Sequence, residues 1–258
     1  MHTRLIDKMI KHLRSNLSVE QKKLIWKFLN FLPYKPNLNF LALKHGTDKY
    51  GHGYIEFYKK HFQTFRKKKL NILEIGVGGY DVPRKGGDSL RMWKDYFPNS
   101  NIFAIDIYDK SALQEKRIKI FRGSQNDPEF LLSVASQIGN IDIIIDDGSH
   151  QNAHVITTFK TLFPCLADNG YYVIEDIHTS YWPRYGGNWK NLSEAITSIS
   201  TVKTLIDGLN YQFIPNRNAF YTDDKIKSIH FYPKIVFIFK GMNRCEIPEY
   251  VLRELALS

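Results

Sequence analysis

Acidic side chains follow two apolar runs of the sequence, at the point where each run ends. The runs, 143–145 and 173–174, have the isoleucine and valine content of buried strands. Because the carboxyl ends of neighbouring parallel strands meet at one edge of a sheet, we expect these side chains to converge. Four carboxylates with one nearby histidine repel one another unless a cation lies between them, and oxygen ligands suit Mg²⁺ or Mn²⁺ better than zinc. The residues are Asp146, Asp147 and His150 after the first run, and Glu175 and Asp176 after the second.

Only some of these carboxylates can be ligands, because successive strand residues point to opposite faces of a sheet. We predict that Asp147, Glu175 and Asp176 hold the metal. His150 follows Asp147 by three residues, at the predicted start of the next helix, where it could accept a proton from a substrate. The alternative is that the acids cap helices and bind loop amides, with Asp146 at the start of that helix as the clearest case.

A glycine-containing turn follows the first predicted strand. Gly76 and Gly78 let the backbone turn tightly and approach a ligand at the sheet edge. A dinucleotide-binding pattern has a third glycine at position 81, but this chain has Asp81, and Glu74 precedes the turn. The departure favours the glycine loop of class I S-adenosylmethionine (SAM) methyltransferases. Asp106 ends the second strand, where an acid can bind both ribose hydroxyls of either type of cofactor. The alternative for the two acids is a pair of solvated strand ends.

These residues are positioned by a regular alternation of strand and helix patterns from residue 70 onward. The alternation predicts an α/β fold with a doubly wound, Rossmann-like parallel sheet covered by helices on both faces. A terminal antiparallel strand pair follows a long polar region. We predict strands at 71–75, 102–106, 118–121, 141–145, 171–174, 228–232 and 235–239. We predict helices at 88–96, 128–138 and about 192–209, and one at 150–166 that ends near Asn169-Gly170.

The first quarter of the chain differs from the rest in charge. The 258 residues carry a formal net charge of +10, and residues 1–70 hold 16 Lys and Arg against 4 Asp and Glu. Such a segment could meet nucleic acid, an anionic membrane surface or a phosphorylated substrate, and the simplest interpretation is a solvated face. We predict a basic helical N-terminal extension at 1–45 and a single body at 46–258.

An apolar helix is predicted within this extension at 24–32. We expect it to pack on the body or on a second copy of the chain, as in a homo-oligomer, with peripheral membrane contact as the alternative. No apolar run is long enough to span a membrane, and charged residues stand where a signal peptide would be apolar. With only Cys165 and Cys245, we expect two buried free thiols in a reducing cytoplasm.

Further motifs follow one another in order between residues 46 and 241. They are Gly46-Thr47-Asp48-Lys49 with His52 and Tyr54, the turn at 73–79, Gly86-Gly87 with Ser89-Leu90 and Met92-Trp93, the stretch 106–111, Gly123-Ser124-Gln125 with Asp127, the acids at 146–150 and 175–176, and Thr179-Ser180-Tyr181-Trp182. Together they resemble the metal-dependent sugar O-methyltransferases of macrolide biosynthesis. The resemblance extends to a closing hairpin at 228–241.

This resemblance implies the class I methyltransferase fold, with SAM and Mg²⁺ (or Mn²⁺) as cofactors. It implies that Asp147, Glu175 and Asp176 hold the metal and that His150 is the general base for methylation of a hydroxyl. The implied acceptor is a small molecule, a glycosylated natural product or a surface glycan, with two vicinal hydroxyls. The expected cofactor-binding residues are Thr47, Lys49, Glu74, Gly76, Gly78, Asp106 at the ribose, Ser124 and Gln125 by the adenine, and Asp146.

Two other functional classes are alternatives. A nucleic-acid methyltransferase would explain the basic first quarter, but the chain lacks the Asn/Asp-Pro-Pro-Tyr/Phe signature of exocyclic amine methylation, so we expect no nucleic-acid partner. A non-catalytic SAM-binding or nucleotide-binding module would not need the acidic cluster. His178 is a second candidate base, and the aromatic stretch 179–187 could form an acceptor wall.

Overall fold

The described residues form a seven-stranded mixed sheet. The structure is a computed structural model and describes residues 37–192, 195–215, 220–251 and residue 253. The strands are β1 (Asn71–Ile75), β2 (Asn101–Asp106), β3 (Ile118–Arg122), β4 (Ile141–Asp146), β5 (Leu166–Ile174), β6 (Ile226–Tyr232) and β7 (Ile235–Lys240). Their order is β3-β2-β1-β4-β5-β7-β6, with β1 to β5 parallel and β7 antiparallel to both of its neighbours. The predicted doubly wound sheet with a terminal antiparallel pair is confirmed.

Helices cover both faces of this sheet. They are α1 (Leu38–His45), α2 (Ile55–Phe62), α3 (Asp88–Tyr96), α4 (Pro128–Ile138), α5 (Asn152–Leu162) and α6 (Ser198–Leu209). The first three pack on one face with Ile143 and Ile145, and the last three on the other with Ile144. Because β4 is buried on both faces, its residues 143–145 form a continuous apolar run, as in parallel strands between helical layers. Asp146 and Asp147 follow directly at the carboxyl end of this run.

Local signals fix the helix ends. The Asp127 side chain accepts hydrogen bonds from the amides of Glu129 and Phe130, and Pro128 takes the first position of α4. Thr197 and Ser200 form a reciprocal capping box at the start of α6. The predicted helix at about 192–209 therefore begins at Ser198, although its apolar pattern extends further back.

The predicted helix at 150–166 is shorter in the structure, and its predicted end is wrong. His150 has a left-handed φ of 57°, so α5 begins only at Asn152, and it ends at Leu162. Asn169-Gly170 lies inside β5, where the pairing register with β4 shifts. Asn169 has a φ of 63°, so the left-handed residue accompanies an irregularity of the strand and not a helix end. Strand β5 consequently begins at Leu166, before the predicted residue 171.

The segment before β1 contains two helices that were not predicted. α1 is capped by the Asn37 side chain and ends at Gly46 with a left-handed φ of 84°, and its apolar residues join the core. The apolar helix predicted at 24–32 lies outside the described residues, and the boundary between extension and body stays a prediction. Neither cysteine is in a disulfide, but Cys165 is only half-buried and Cys245 is exposed, so the prediction of two buried thiols is wrong. In the part of the chain that the structure describes, no helix is both long and apolar enough to cross a membrane.

A buried histidine lies between α2 and the terminal strand pair. His61 is 7% exposed, and its ring stacks on Phe237 with centroids 4.3 Å apart. Its Nδ1 and Nε2 atoms lie 3.3 and 3.0 Å from the hydroxyls of Tyr171 and Tyr232. Burial, assisted by the nearby His230, lowers the pKa of His61 to about 4. Since protonation would place a cation in this apolar contact, the neutral ring is the form that the fold accommodates.

We expect His61 to make stability depend on pH. The unfolded chain takes up a proton near pH 6.5 and the folded chain only near pH 4, so this contribution to stability is complete above pH 6.5 and falls as the pH drops towards 4. At pH 5 the loss should be about 2 kcal/mol. Urea unfolding at pH 7.5 and pH 5 should show a smaller loss in His61→Gln than in wild type. An equal loss in both proteins would contradict this assignment.

Candidate active site

The carboxyl ends of the parallel strands surround a cavity of about 870 Å³. It lies where the chain order reverses, because β2 and β4 flank β1 on opposite sides. Ligands of doubly wound sheets bind in this crevice. The predicted residues in its wall are Thr47, Gly76, Gly78, Asp106, Ser124, Gln125, Asp147, His150 and Asp176. The other four, Lys49, Glu74, Asp146 and Glu175, are buried behind the wall, each at most 3% exposed.

Lys49 joins three carboxylates from different strand ends. Its Nζ atom lies 2.5 Å from Asp147 Oδ2, 2.6 Å from Glu175 Oε1 and 3.1 Å from Glu74 Oε1. Burial alone would lower the pKa of Lys49, but the three carboxylates raise it well above its usual value. The lysine is therefore a fixed cation. The sequence predicted Lys49 as a cofactor-binding residue, and the structure shows it as the centre of an ion-pair cluster.

Two tyrosines of the segment before β1 also hold the acids. The Tyr58 hydroxyl donates to Glu175 Oε1 at 2.5 Å, and the Tyr54 hydroxyl donates to Asp176 Oδ1. Burial and the neighbouring Asp147 raise the pKa of Glu175, while Lys49 and Tyr58 favour its charged form. The sequence motif that begins at Gly46 includes Tyr54 but predicted no role for it, and Tyr58 was not predicted at all. The usable signal was their spacing of four residues, which puts both on one side of a helix.

Asp147, His150 and Asp176 form the group that could hold a metal ion. One ligand atom from each lies within 4.8 Å of the others, and all three residues are partly exposed. Nε2 of His150 is 3.7 Å from Asp176 Oδ2, and Nδ1 of His178 is 3.7 Å from Oδ1. Two carboxylates that open into a cavity suit a hard divalent cation, which takes oxygen ligands. Glu175, the third predicted ligand, has Oε1 bonded to Lys49 and Tyr58.

Two of these residues have a left-handed backbone. φ is 57° at His150 and 49° at Asp176. Residues other than glycine adopt this conformation at a cost, and such positions are common in functional sites because the surrounding structure maintains them. The Thr179 hydroxyl donates to the His150 carbonyl at 3.1 Å and so ties the two loops together. The loops therefore aim His150 and Asp176 at the same space.

The glycine turn forms the neighbouring part of the wall. Gly76 has a φ of 95°, and a Cβ atom there would lie 2.2 Å from the Asp147 carbonyl oxygen, so only glycine fits. Asp106 accepts hydrogen bonds from the Val77 amide through Oδ2 and from the Tyr108 amide through Oδ1, each at 2.9 Å. The carboxylate is thus fixed at the cavity. Its oxygens keep further lone pairs for a ligand.

Asp146 differs from the other acids. Its Oδ1 accepts from Gln125 Nε2 at 3.2 Å, and burial raises its pKa to about 7. It does not cap the following helix, whose N-cap residue is Gln151, so the capping alternative is wrong for Asp146. Gln125 also accepts from the Ser149 amide at 2.7 Å. Asp146 therefore orients the Gln125 side chain, which does line the cavity.

An aromatic loop continues from Asp176 beside the site. Trp182 is 47% exposed and packs edge-on against His178, with centroids 4.8 Å apart. Buried Asn152 anchors the loop, since its Nδ2 donates to the Tyr185 carbonyl at 2.8 Å and its Oδ1 accepts from Ser180 at 3.0 Å. The loop presents aromatic surface next to the group that could hold a metal.

The chain is similar to sugar O-methyltransferases over most of its length. It is 44% identical over 226 residues to mycinamicin VI 2''-O-methyltransferase of Micromonospora griseorubida, which covers 85% of this chain and 57% of that protein. It is 47% identical over 212 residues to 8-demethyl-8-alpha-L-rhamnosyl tetracenomycin-C 2'-O-methyltransferase of Streptomyces olivaceus, which covers 81% of this chain and 56% of that protein. The chain thus spans little more than half the length of these relatives. No protein-family model matches it.

A solved structure supports the same similarity. The MycE methyltransferase of the mycinamycin biosynthetic pathway, in complex with Mg and SAH, superposes with a TM-score of 0.81 at 44% identity. The match covers 84% of this chain and 57% of that one. A second structure of that enzyme, which also contains mycinamycin VI, gives a TM-score of 0.77 at 43% identity over 83% of this chain. The predicted class I methyltransferase fold and the predicted resemblance are confirmed.

We expect Lys49→Met to destabilise the protein strongly. The substitution keeps the length of the side chain but leaves three buried or half-buried carboxylates without their cation, which should cost roughly 3–5 kcal/mol in the free energy of unfolding. Lys59→Met is the matched control, because among the described residues the ion-pair partner of Lys59 is exposed Glu56 on the helix surface. Its effect should stay below about 1 kcal/mol in urea unfolding with EDTA present. Equal effects of the two substitutions would refute the role assigned to Lys49.

Proposed function

The chain belongs to the family of sugar O-methyltransferases, and we propose that it transfers the methyl group of SAM to a hydroxyl of a sugar. The acceptor class is a glycosylated natural product, a related small molecule or a surface glycan, with two vicinal hydroxyls. The observation that carries the proposal is the convergence of Asp147, His150 and Asp176 within 4.8 Å at the edge of a cavity lined by the glycine turn. Such a site serves a reaction that needs a cofactor, a cation and a base together.

The proposed metal ligands are Asp147, Glu175 and Asp176, and the proposed metal is Mg²⁺ or Mn²⁺. The donor set fits, because carboxylate oxygens of partly exposed Asp147 and Asp176 open into the cavity. Buried Glu175, whose Oε1 is bonded to Lys49 and Tyr58, would contribute its other carboxylate oxygen. When bound, the cation supplies Lewis-acid chemistry that makes a weakly acidic sugar hydroxyl easier to deprotonate. Lys49 keeps the acids together when they are crowded and charged.

SAM is proposed to lie along the cavity wall, as SAH is named in the MycE structures. Asp106 would accept hydrogen bonds from the ribose hydroxyls, while Gly76 and Gly78 leave room for the backbone to approach the cofactor. Ser124 and Gln125 would lie by the adenine, and Thr47 lines the same cavity. Lys49, Glu74 and Asp146 are proposed to act from behind the wall, since their burial leaves them to support the residues in front.

His150 is the proposed general base. Its imidazole lies in the cavity wall, and its Nε2 faces Asp176 Oδ2 at 3.7 Å. A neutral imidazole can accept the proton of an acceptor hydroxyl, and the carboxylate stabilises the imidazolium that forms. Asp176 thus contributes to both the metal and the base. His178 contacts the same carboxylate and is the reserve candidate.

The remaining partners are also proposals. We propose a homo-oligomer in the cytoplasm, supported by the apolar helix predicted at 24–32 and by the two free cysteines. That helix lies outside the described residues. Light scattering on the full chain and on a chain that begins at residue 37 would test the oligomer, because equal masses would leave the helix without this role.

SAH binding should depend on Asp106. Calorimetry should show micromolar binding of SAH to the wild type and at least about tenfold weaker binding to Asp106→Ala, because charge-assisted hydrogen bonds are lost. Asp168→Ala, an exposed acid at the opposite end of β5, should bind as the wild type does. NADH should not compete. Tight NADH binding without affinity for SAH would refute the proposed cofactor.

Methyl transfer should require a divalent cation. SAH formation from SAM, measured with mycinamicin VI as the first trial acceptor, should stop in EDTA and return with Mg²⁺ or Mn²⁺. Asp147→Asn, Glu175→Gln and Asp176→Asn should each lose most activity and calorimetric Mg²⁺ binding but keep SAH binding. His150→Ala should instead keep both ligands and lose roughly 10²- to 10⁴-fold in kcat.

Glu129→Gln, which removes an exposed carboxylate from α4, is the matched control for these acids. It should bind Mg²⁺ as the wild type does. Unchanged turnover in EDTA, together with silent acid substitutions, would mean that the acids are structural and that a base such as His178 works without a metal.

A further inference from the structure

Lys110 is a buried lysine whose ammonium bonds to backbone carbonyls. Its side chain is 1% exposed, and Nζ donates to the carbonyls of Val82 at 2.8 Å and Lys85 at 3.0 Å. Among the described residues, no ion pair joins it to a carboxylate within 4.0 Å. A buried charge needs well-oriented partners to offset the loss of water. The two carbonyls must therefore stay in place for Lys110 to remain buried.

Both carbonyls belong to one loop of the cavity wall, residues 79–87 between β1 and α3. Within this 79–87 loop, Gly79, Val82 and Lys85 line the cavity. Its side chains are largely exposed, with Tyr80 at 83%, so little apolar burial holds the loop in place. Its own hydrogen bonds are two turns, from the Val82 amide to Gly79 and from the Lys85 amide to Val82. The loop therefore depends on contacts to its backbone.

Different contacts hold the end and the middle of the 79–87 loop. At the end of the loop, the Gly87 amide donates to the Val77 carbonyl at 2.8 Å, and Arg91 Nη2 donates to the Gly86 carbonyl at 2.9 Å. Lys110 instead reaches the middle of the loop from the segment after β2. Asp106, which ends β2 four residues earlier, is bonded to the Val77 amide. Lys110 and Asp106 thus connect the same two walls of the cavity.

We propose that Lys110 is a positioning residue that forms the cofactor cavity before the cofactor binds. The inference rests on the proposed function, in which this cavity takes SAM. With the ammonium in place, the 79–87 loop is held against the segment after β2 in the ligand-free protein. Without it, the loop must become ordered during binding. The apparent affinity for the cofactor then equals the intrinsic affinity multiplied by the fraction of molecules in which the wall is already formed.

The test compares Lys110→Met with wild type and with Lys116→Met. Methionine matches the length of lysine and removes the donor, and Lys116 is an exposed lysine of the same segment. In Lys110→Met we expect hydrogen exchange of amides 79–87 to accelerate at least about tenfold without ligand, and SAH to bind at least about tenfold more weakly. Mg²⁺ affinity should stay within about twofold, and KM for SAM should rise while kcat holds. Lys116→Met should match the wild type throughout.

Unchanged exchange and unchanged SAH affinity in a folded Lys110→Met protein would overturn the proposal. If that variant unfolds, Lys110→Gln decides, because its amide is neutral and its shorter side chain places the N–H donors short of the two carbonyls. An SAH affinity at the wild-type value in a folded Lys110→Gln protein would overturn the proposal, and a weaker one with faster exchange confined to 79–87 supports it. Failure of the wild type itself to bind SAH would refute the proposed function, while the exchange data would still test Lys110.

Discussion

One buried ammonium between three carboxylates is the interaction on which the rest of the site depends. Without Lys49, the acids at the ends of β1, β4 and β5 would repel one another in a medium that screens charge poorly. The single positive charge does not balance three negative ones when all are ionised, and Asp176 adds a fourth nearby. Pairing with Lys49 keeps the acids together, and the negative charge that remains after this pairing is what a bound cation would neutralise.

This arrangement makes the segment before the sheet a part of the site. Lys49 lies in the turn between α1 and α2, and α2 with the residue before it brings the hydroxyls of Tyr58 and Tyr54 to two of the acids. The sheet supplies the carboxylates, and this segment supplies their counter-charge and donors. Folding of α1 and α2 onto the sheet consequently completes the acid cluster and buries the Trp93 side of the core at the same time.

The fold was predictable because helices cover both faces of the sheet. Its central strands are therefore apolar on both sides and appear in the sequence as uninterrupted apolar runs such as 143–145. The acids at the cavity were predictable for the same reason, since they end those runs. What the sequence concealed depends on backbone angles and on distant partners. The left-handed φ of His150 shortened α5, and Asn169 reproduced a helix-end signal inside a strand. Lys49 was recognised as important, but its three partners, 25 to 126 residues away, belong to the tertiary structure.

At Gly76 the glycine turn after β1 lies directly against the backbone of Asp147 after β4, so these two parts of the cavity wall are in contact. The Gly76 amide donates to the Ile105 carbonyl, and the Asp147 amide donates to the Ile75 carbonyl, so three strand ends form one hydrogen-bonded unit. A shift at the glycine turn must therefore be shared by the carboxylate that follows β4. The exposed aromatic loop lies outside this unit, so a substitution on its surface does not have to be accommodated by the three strand ends at once.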